Sequence, residues 1–600
     1  MTKKSTVKQV LDNNLYMLKL LCKASKRRLF LESLFYTSKG VVQTLIYVIL
    51  FGSIVNALQD ESSFMYIAIF TGVIAIITCI ALFFQSWFTD VFLMYDNAAI
   101  QKYFTRNVYQ HAVEIDIEKY DDPKFYDQYI LTLEEAQNRA ITLSKTVAQY
   151  IGTLITVIIL LTTIISIDIN ILWFVALPLI PSLIIGRKKN KCYYDLYMNN
   201  LNPTRKTAYV NRVMYLSKYA KDIRLSNIFN RLINTYHQNM DKVVDNEKKY
   251  GKKGTIYTFF LDYITEGFVY IGILIYITYR VVESKTLMIG DYLIILNAVS
   301  GMGWRIHELI RTTLKFEQFS LFINNFRRFM NTQSKAGQKR VGKIPDRTET
   351  LFEFSHVDFS YDQRVNVLED INMTIKKGEK IAIVGHNGAG KSTFVKLLLN
   401  LYEPTAGEIL YNRENVHHYD QKKYRDIFSV VFQDFTLYAL SVGENITTQS
   451  VKDQDISEIN HALNESDMWK RIQTLPNGIQ TVVTKEFDEK GFVPSGGESQ
   501  KLAIARSIFK KSDVFIFDEP SSALDPLSEA KINELMLNAA ADKTVIFISH
   551  RLSATLKADR IYLFEHGKIS EQGTHDELVK RNEKYANMYK KQAEKYDYAL

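Results

Sequence analysis

Sulfur is scarce in this chain. Three cysteines in 600 residues, Cys22, Cys79 and Cys192, form an odd, scattered set without metal-ligand spacing, which excludes a disulfide framework and a metal–thiolate site as organising features. A cleavable secretion signal is also missing. Lys26-Arg27-Arg28 leads into a full-length apolar stretch with no small-residue cleavage site, so the first span is expected to act as an uncleaved anchor. No repeat with a period of about 20–50 residues is present, which sets aside solenoids and propellers, and no tract has low complexity. Charge is thin where it matters most. Six segments, at 29–58, 64–95, 141–167, 169–190, 254–280 and 287–315, are apolar and long enough, or nearly so, to cross a hydrocarbon core, which takes about 20 helical residues.

The charges that remain are unevenly placed. A formal net charge of +9 could point to nucleic acid, but its location argues for a lipid bilayer and no nucleic-acid partner. The short connections Gln59-Asp60-Glu61-Ser62-Ser63, Ser166-Ile167-Asp168 and Val282-Glu283-Ser284-Lys285 hold almost no Lys or Arg. Lys26, Arg27 and Arg28 precede the first span, and Arg187, Lys188, Lys189, Lys191, Lys248, Lys249, Lys252 and Lys253 flank the second long loop. Positive charge stays on the cytoplasmic side, so both termini and the two long loops are expected there.

The organisation follows. Residues 1–28 read as a cytoplasmic amphipathic helix at the membrane surface, with Leu15, Leu18, Leu20 and Leu21 beside Lys19 and Lys23. Residues 29–330 read as a six-helix transmembrane domain whose loops, about 96–140 and 191–253, stay amphipathic and helical, so the helices extend beyond the bilayer. Residues 331–348 have linker composition. From 349 to 600 short apolar strands alternate with amphipathic helices, the signature of an α/β domain with a largely parallel sheet.

Within that domain, Gly385-His386-Asn387-Gly388-Ala389-Gly390-Lys391-Ser392-Thr393 follows the apolar run Lys380–Val384. It fits the phosphate-binding loop pattern. Glycines at 385, 388 and 390 let backbone N–H groups curl around phosphate oxygens, Lys391 reaches the terminal phosphates, and the Ser392 hydroxyl can ligate magnesium. The helix that follows points its positive end at the anion. A second apolar strand, Val514–Phe517, ends in Asp518-Glu519. Asp518 suits the magnesium shell and Glu519 a base that polarises attacking water. A Ser495-Gly496-Gly497 turn opening an amphipathic helix is a further anion site built from backbone donors.

Taken in order, GHNGAGKST, VVFQDF at 430–435, PSGGESQKLAIARS at 494–507, DEPSSALD at 518–525 and IFISHR at 546–551 resemble the nucleotide-binding domain of ATP-binding-cassette (ABC) transporters. With the six spans, the resemblance is to a half-size exporter and covers nearly the whole chain. It implies an α-helical transmembrane domain followed by an α/β P-loop domain, with ATP and Mg2+ as cofactors. By position, it implies that Tyr361 stacks on adenine, that Gln433 ligates magnesium and senses the membrane domain, and that His550 is the switch histidine on the γ-phosphate. Ser495, Gly496 and Gly497 would touch ATP bound to a partner subunit, and Asp525 would cross the interface. One loop and one signature per chain require a dimer. The family's Leu-Ser-Gly-Gly-Gln signature here reads Pro494-Ser-Gly-Gly-Glu498; a homodimer is favoured because Ser495–Gly497 is intact, and a heterodimer stays open.

Tyr120–Asp127 and Tyr219–Leu225 resemble the segments through which exporters couple to their cassettes, with an expected docking surface around Gln433 and Glu489-Lys490-Gly491. Inside the spans Asp262, Glu266, Arg305, Glu308 and Arg311 are functional candidates. They either line an inward-open cavity for a charged substrate or pair as structural glue. Finer texture, VVFQDFTLY and DEPSSALDP, looks most like bacterial half-exporters for ribosomally made peptides such as lantibiotics, in a bacterial cytoplasmic membrane. With some 28 residues before the first span, a fused leader peptidase is not expected. Lipid or multidrug export, and an ATP-gated regulator that does not pump, are the alternatives.

Overall fold

The computed structural model describes residues 6–177, 179–263, 267, 269–332, 342–347, 351–518, 534–536, 543–549 and 556–597. The chain divides into two compact units. One is helical and comprises residues 1–112 and 127–331; the other comprises 113–126 and 332–600.

Among the described residues of the helical unit, four helices are long and apolar enough to cross a membrane: Arg28–Gln59, Phe64–Glu114, Glu135–Ile167 and Ile169–Tyr215. The fifth expected span is met by the end of the Ile228–Asp262 helix and by the shorter apolar helix Val269–Val282. The side chain of Asp262 and the whole of Glu266 lie outside the described residues. The sixth is the first part of Ile289–Met330, 42 residues long. Several of these helices outrun the bilayer. The Pro123–Ile167 helix has 45 residues, and at about 1.5 Å per residue it spans roughly twice the hydrocarbon thickness.

Close helix crossings rest on small residues. A Cβ added to Gly290 would meet the Gly52 carbonyl oxygen at 2.1 Å, so the first and sixth spans approach backbone to backbone. Asn56 and Asp291 bridge the same crossing with a 2.8 Å hydrogen bond.

The N-terminal helix Val7–Ala24 docks through its polar face. Asn13 donates to Ser320 and Asn14 to the Phe316 carbonyl, while Met17 and Leu21 are buried. Val7, Leu11 and Leu15 remain exposed at four-residue spacing, the stripe that an interfacial helix presents to lipid. Beside it lies a buried charge cluster. Arg28 is 2% exposed and pairs with Glu32 at 3.1 Å and Asp96 at 3.0 Å; Ser144 and Ser25 donate to the two carboxylates. Three helices and the N-terminal turn are thereby tied at one point.

The second unit contains two sheets. Strands β1 (Phe352–Phe359), β2 (Leu368–Ile375), β4 (Ala406–Tyr411) and β5 (Glu414–Asn415) form an antiparallel sheet in the order β2-β1-β4-β5. The other sheet has the order β10-β9-β3-β8-β7-β6, with β3 at Lys380–Gly385, β6 at Phe428–Val431, β7 at Val514–Asp518, β8 at Thr544–Ser549, β9 at Arg560–Glu565 and β10 at Lys568–Gly573. Four of its five pairings are parallel, and the edge pairing of β10 with β9 is antiparallel. The apolar runs of β3, β7 and β8 are buried along nearly their whole length, as a strand covered on both faces requires.

Residues 342–347, expected as linker, belong to the edge of this unit. Lys343 donates its backbone N–H to the His418 carbonyl and accepts from Asp420, and the Asp346 carbonyl accepts from the Tyr411 hydroxyl. Polar composition suggested a tether because the partners of these backbone groups come from some 70 residues downstream.

Replacing Arg28 with Ala leaves two buried carboxylates without their cation. The expected cost is about 3 kcal/mol, read as a lowered melting temperature of the detergent-purified protein, with Arg28→Lys recovering part of it.

Candidate nucleotide site

Four parallel strands, β3, β8, β7 and β6, present their carboxyl ends along one edge, the place where such sheets hold ligands. The ends of β3, β7 and β6 lead respectively to the glycine loop at 385–390, to Asp518 and to Gln433. β8 leads to His550, which lies outside the described residues, as do Glu519 and Asp525.

The loop is glycine-dependent for two separate reasons. Gly385 has φ 150° and its added Cβ would meet the Phe564 carbonyl oxygen at 2.2 Å. Gly390 has φ 100°, and there a Cβ would strike Leu368 at 2.5 Å. A side chain at either position would push the loop off the sheet. Lys391 begins the helix Lys391–Leu398, is 5% exposed, and donates from Nζ to the carbonyls of Gly385 (2.9 Å) and His386 (3.1 Å). The ammonium is thus held across the loop's own mouth. His386, Asn387, Gly388 and Ser392 are exposed along the rim; Ala389 and Thr393 are buried behind it.

The donors near this edge suit magnesium. A hydroxyl at Ser392, an amide oxygen at Gln433 and a carboxylate at Asp518 are hard oxygen ligands, Ser392 and Gln433 being exposed and Asp518 buried at the strand end. Magnesium bound here would neutralise charge on the terminal phosphates.

Tyr361 follows β1 and keeps its ring 46% exposed. Phe359 and Tyr402 brace it edge-on, with centroids at 4.8 and 5.4 Å. Its hydroxyl shares a 3.2 Å hydrogen bond with Thr393, and the Lys396 ammonium lies 5.4 Å from the ring centre. A fixed, partly open aromatic face beside the phosphate loop is what an adenine needs for stacking.

Sequence reasoning missed Tyr402. Its hydroxyl donates to Asp121, which belongs to the segment 113–126 packed within this same unit. Burial, then the Asp121 carboxylate, push the Tyr402 hydroxyl well above its ordinary pKa. Burial depresses the Arg425 guanidinium, opposed by the nearby charge of Asp116 in the same segment. The first coupling candidate therefore touches the wall behind the adenine-stacking candidate, a contact outside the surface expected around Gln433 and residues 489–491. Nothing in the sequence around Tyr402 distinguishes it from a core aromatic. The second candidate, Tyr219–Leu225, lies in the other unit.

Ser495, Gly496 and Gly497 sit at the start of the helix Gly496–Phe509. Ser495 and Gly496 are exposed. This helix packs through Leu502 and Ala505 on a separate core with Val442, Ile459 and Leu463, whereas the phosphate loop rests on the core between the two sheets. The departure at Glu498 has a structural role. Its carboxylate accepts from the Ser495 N–H at 2.8 Å, the Ser495 hydroxyl accepts from the Glu498 N–H, and Arg471 pairs with Glu498 at 2.9 Å. That capping box fixes the turn. Partial burial raises the Glu498 pKa, but the Ser495 hydrogen bonds and Arg471 outweigh it and hold the carboxyl below its usual range.

Known proteins match in the same sense. Residues 368–522 fit the family model of the ABC transporter. The chain is 28% identical over 498 residues to the subtilin transport ATP-binding protein of Bacillus subtilis, covering 82% of this chain and 79% of that protein. To the nisin transport ATP-binding protein of Lactococcus lactis subsp. lactis it is 29% identical over 412 residues, 68% of each. An ATP-dependent lipid A-core flippase of Methylobacillus flagellatus is 38% identical over 258 residues, covering 43% of each. A bacterial Atm1-family ABC exporter solved with ATP bound shares the fold, with a TM-score of 0.79 over 95% of this chain and 99% of that one, at 21% identity.

Replacing Lys391 with Ala removes the ammonium at the loop mouth. ATP affinity, measured by fluorescent-nucleotide titration, should fall by about tenfold or more; unchanged affinity contradicts the phosphate-loop assignment.

Proposed function

We propose that this chain, which carries an ABC transporter domain behind a membrane unit of exporter fold, exports a peptide across a bacterial cytoplasmic membrane by ATP-driven alternating access. Two chains form the working unit. Each phosphate loop binds one ATP, and the Ser495–Gly497 turn of the other chain closes over its γ-phosphate. A homodimer is the simpler form, since the anion turn is intact in this chain. Both termini and the cassette face the cytoplasm, where ATP is.

One observation carries the reading. Loop and signature ride on separate cores of a single cassette, and Ser495 and Gly496 of the signature are exposed, so a second copy can offer its turn to the loop. The closed pair binds ATP more tightly than the open pair, and this difference in affinity drives the switch. Glu519 then polarises the attacking water with His550 on the γ-phosphate, Ser392, Gln433 and Asp518 serve the magnesium, and hydrolysis lets the cassettes part. Asp525 lies where the two chains meet.

The peptide assignment rests on where the likeness extends. The relatives named for the bacteriocins subtilin and nisin match 82% and 68% of the chain, well into the membrane unit. The lipid A-core flippase matches 43%, little more than the cassette, which is common to exporters of many cargoes.

Glu519→Gln should leave ATP binding near the parent level, abolish steady-state hydrolysis and accumulate closed dimers on size-exclusion chromatography with ATP; normal turnover removes Glu519 from its role. Inside-out vesicles carrying the parent protein should accumulate labelled peptide only with ATP. If no peptide of a varied panel moves or stimulates hydrolysis, while lipid or drug probes do, the cargo is not peptide.

A further inference from the structure

The helical unit contains a cavity of about 510 Å³ between the first and sixth spans. Its lining from the Ile289–Met330 helix includes Asn297, Gly301, Trp304, Arg305, Glu308 and Arg311, with Ser300 and His307 beside them; the set recurs at three- and four-residue intervals and so occupies one helical face. Gln43 and Tyr47 of the first span complete the opposite wall.

The charges on that face are not matched within the described structure. Arg305 donates from Nη2 to the neutral amide oxygen of Gln43 at 2.9 Å. Glu308, the one carboxylate in the lining, is taken up by neutral donors: Gln149 donates to one oxygen and Thr153 to the other at 3.5 Å. Among the described residues neither Arg305 nor Arg311 comes within the 4.0 Å ion-pair distance of a carboxylate. Lys315, one turn further along, lies in the electrostatic reach of Arg311 and Lys145 as well as of Glu308. The cavity therefore carries an excess of fixed cations. Cations without partners in a membrane domain are costly, and a guanidinium recovers most from a planar anion that it can bind with two parallel hydrogen bonds.

We propose that this cavity is an anion-selective subsite that receives carboxylates of an acidic stretch of the exported peptide, with Arg305 and Arg311 as the residues that recognise them. Tyr47 and Trp304, exposed at the cavity by 63% each, offer apolar faces beside the charges, so the segment recognised combines carboxylates with bulky apolar side chains. Glu308 attracts Arg305 only from a distance; its hydrogen bonds to neutral donors keep it out of a close ion pair with that guanidinium. This assignment rests on the export reading above.

The test uses the full-length protein in phosphatidylcholine proteoliposomes and three matched peptides that differ only at a few positions, filled with Asp and Glu, with Asn and Gln, or with Lys. The readout is the peptide concentration giving half-maximal stimulation of ATP hydrolysis. The acidic peptide should act at the lowest concentration. Arg305→Gln with Arg311→Gln should raise that concentration about tenfold, as expected for loss of charge-assisted hydrogen bonds, and remove its lead over the neutral peptide. Lysine at both positions keeps the charge and should keep the preference. Equal potency of acidic and lysine peptides overturns the anion subsite while leaving peptide export standing. Stimulation by phosphatidylglycerol vesicles without peptide, lost in the glutamine variant, overturns the peptide as the source of the anion. Normal nucleotide-dependent hydrolysis with no response to any peptide overturns the export reading itself.

Discussion

The close approach of Gly385 to the Phe564 carbonyl is the constraint on which the nucleotide site depends. Strand β3 is clamped between β8 and β9, and its last residue has no room for a Cβ. The chain must therefore leave the sheet in a conformation open to glycine, turn through Gly388 and Gly390, and enter a helix at Lys391. Polyphosphate recognition follows from that path: a tight turn exposes successive backbone donors, a helix start adds its dipole, and a lysine at the first helical position bridges the mouth. The neighbouring strands bring the other groups to the same edge because they run parallel to β3. Asp518 and Gln433 need no special placement beyond being where their strands stop.

The membrane unit obeys a different constraint, the cost of charge away from water. It meets that cost in two ways. Around Arg28 the charges are paired and buried, with Glu32, Asp96 and two serines satisfying one another, and the result is a fixed joint. Around Arg305 they are left facing a cavity, with the single carboxylate drawn off by Gln149 and Thr153. Paired charge there would make a strut; unpaired charge makes a place for a ligand. Within the second unit Tyr402 ties two segments together, its ring bracing Tyr361 and its hydroxyl holding Asp121.

What could be read from the sequence was whatever is local. The glycine loop, the apolar strands ending in acids and the Ser-Gly-Gly turn are each decided within a dozen residues, and the parallel sheet that holds them follows from strand and helix alternation. Apolar length gave the spans, although the fifth and sixth carry enough polar residues that apolarity and length alone single out four. What was not legible depends on distant partners. Lys343 reads as linker until His418 and Asp420 are beside it. Tyr402 reads as a core aromatic until Asp121, 281 positions earlier, is found at its hydroxyl. Glu498 reads as a tolerated change from glutamine until its carboxylate is seen capping Ser495 and pairing with Arg471. In the cavity, the residues were visible as candidates, but whether Glu308 neutralised the arginines turned on Gln149 and Thr153 from another helix.

The central claim is that a phosphate loop works only with the signature turn of another chain. It is tested most directly with mixed dimers of two variants expected to be inactive, Lys391→Ala and Gly496→Asp, the latter at a position where an added Cβ meets nothing within 4 Å. If sites are shared between chains, a mixed dimer pairs the intact Lys391 of one chain with the intact Gly496 of the other, and one of its two sites is whole. Tandem-tagged mixed dimers should then hydrolyse ATP well above either parent variant. Hydrolysis no higher than in the two parents, with mixed dimers demonstrably formed, would mean that each site is built within one chain and would contradict the account.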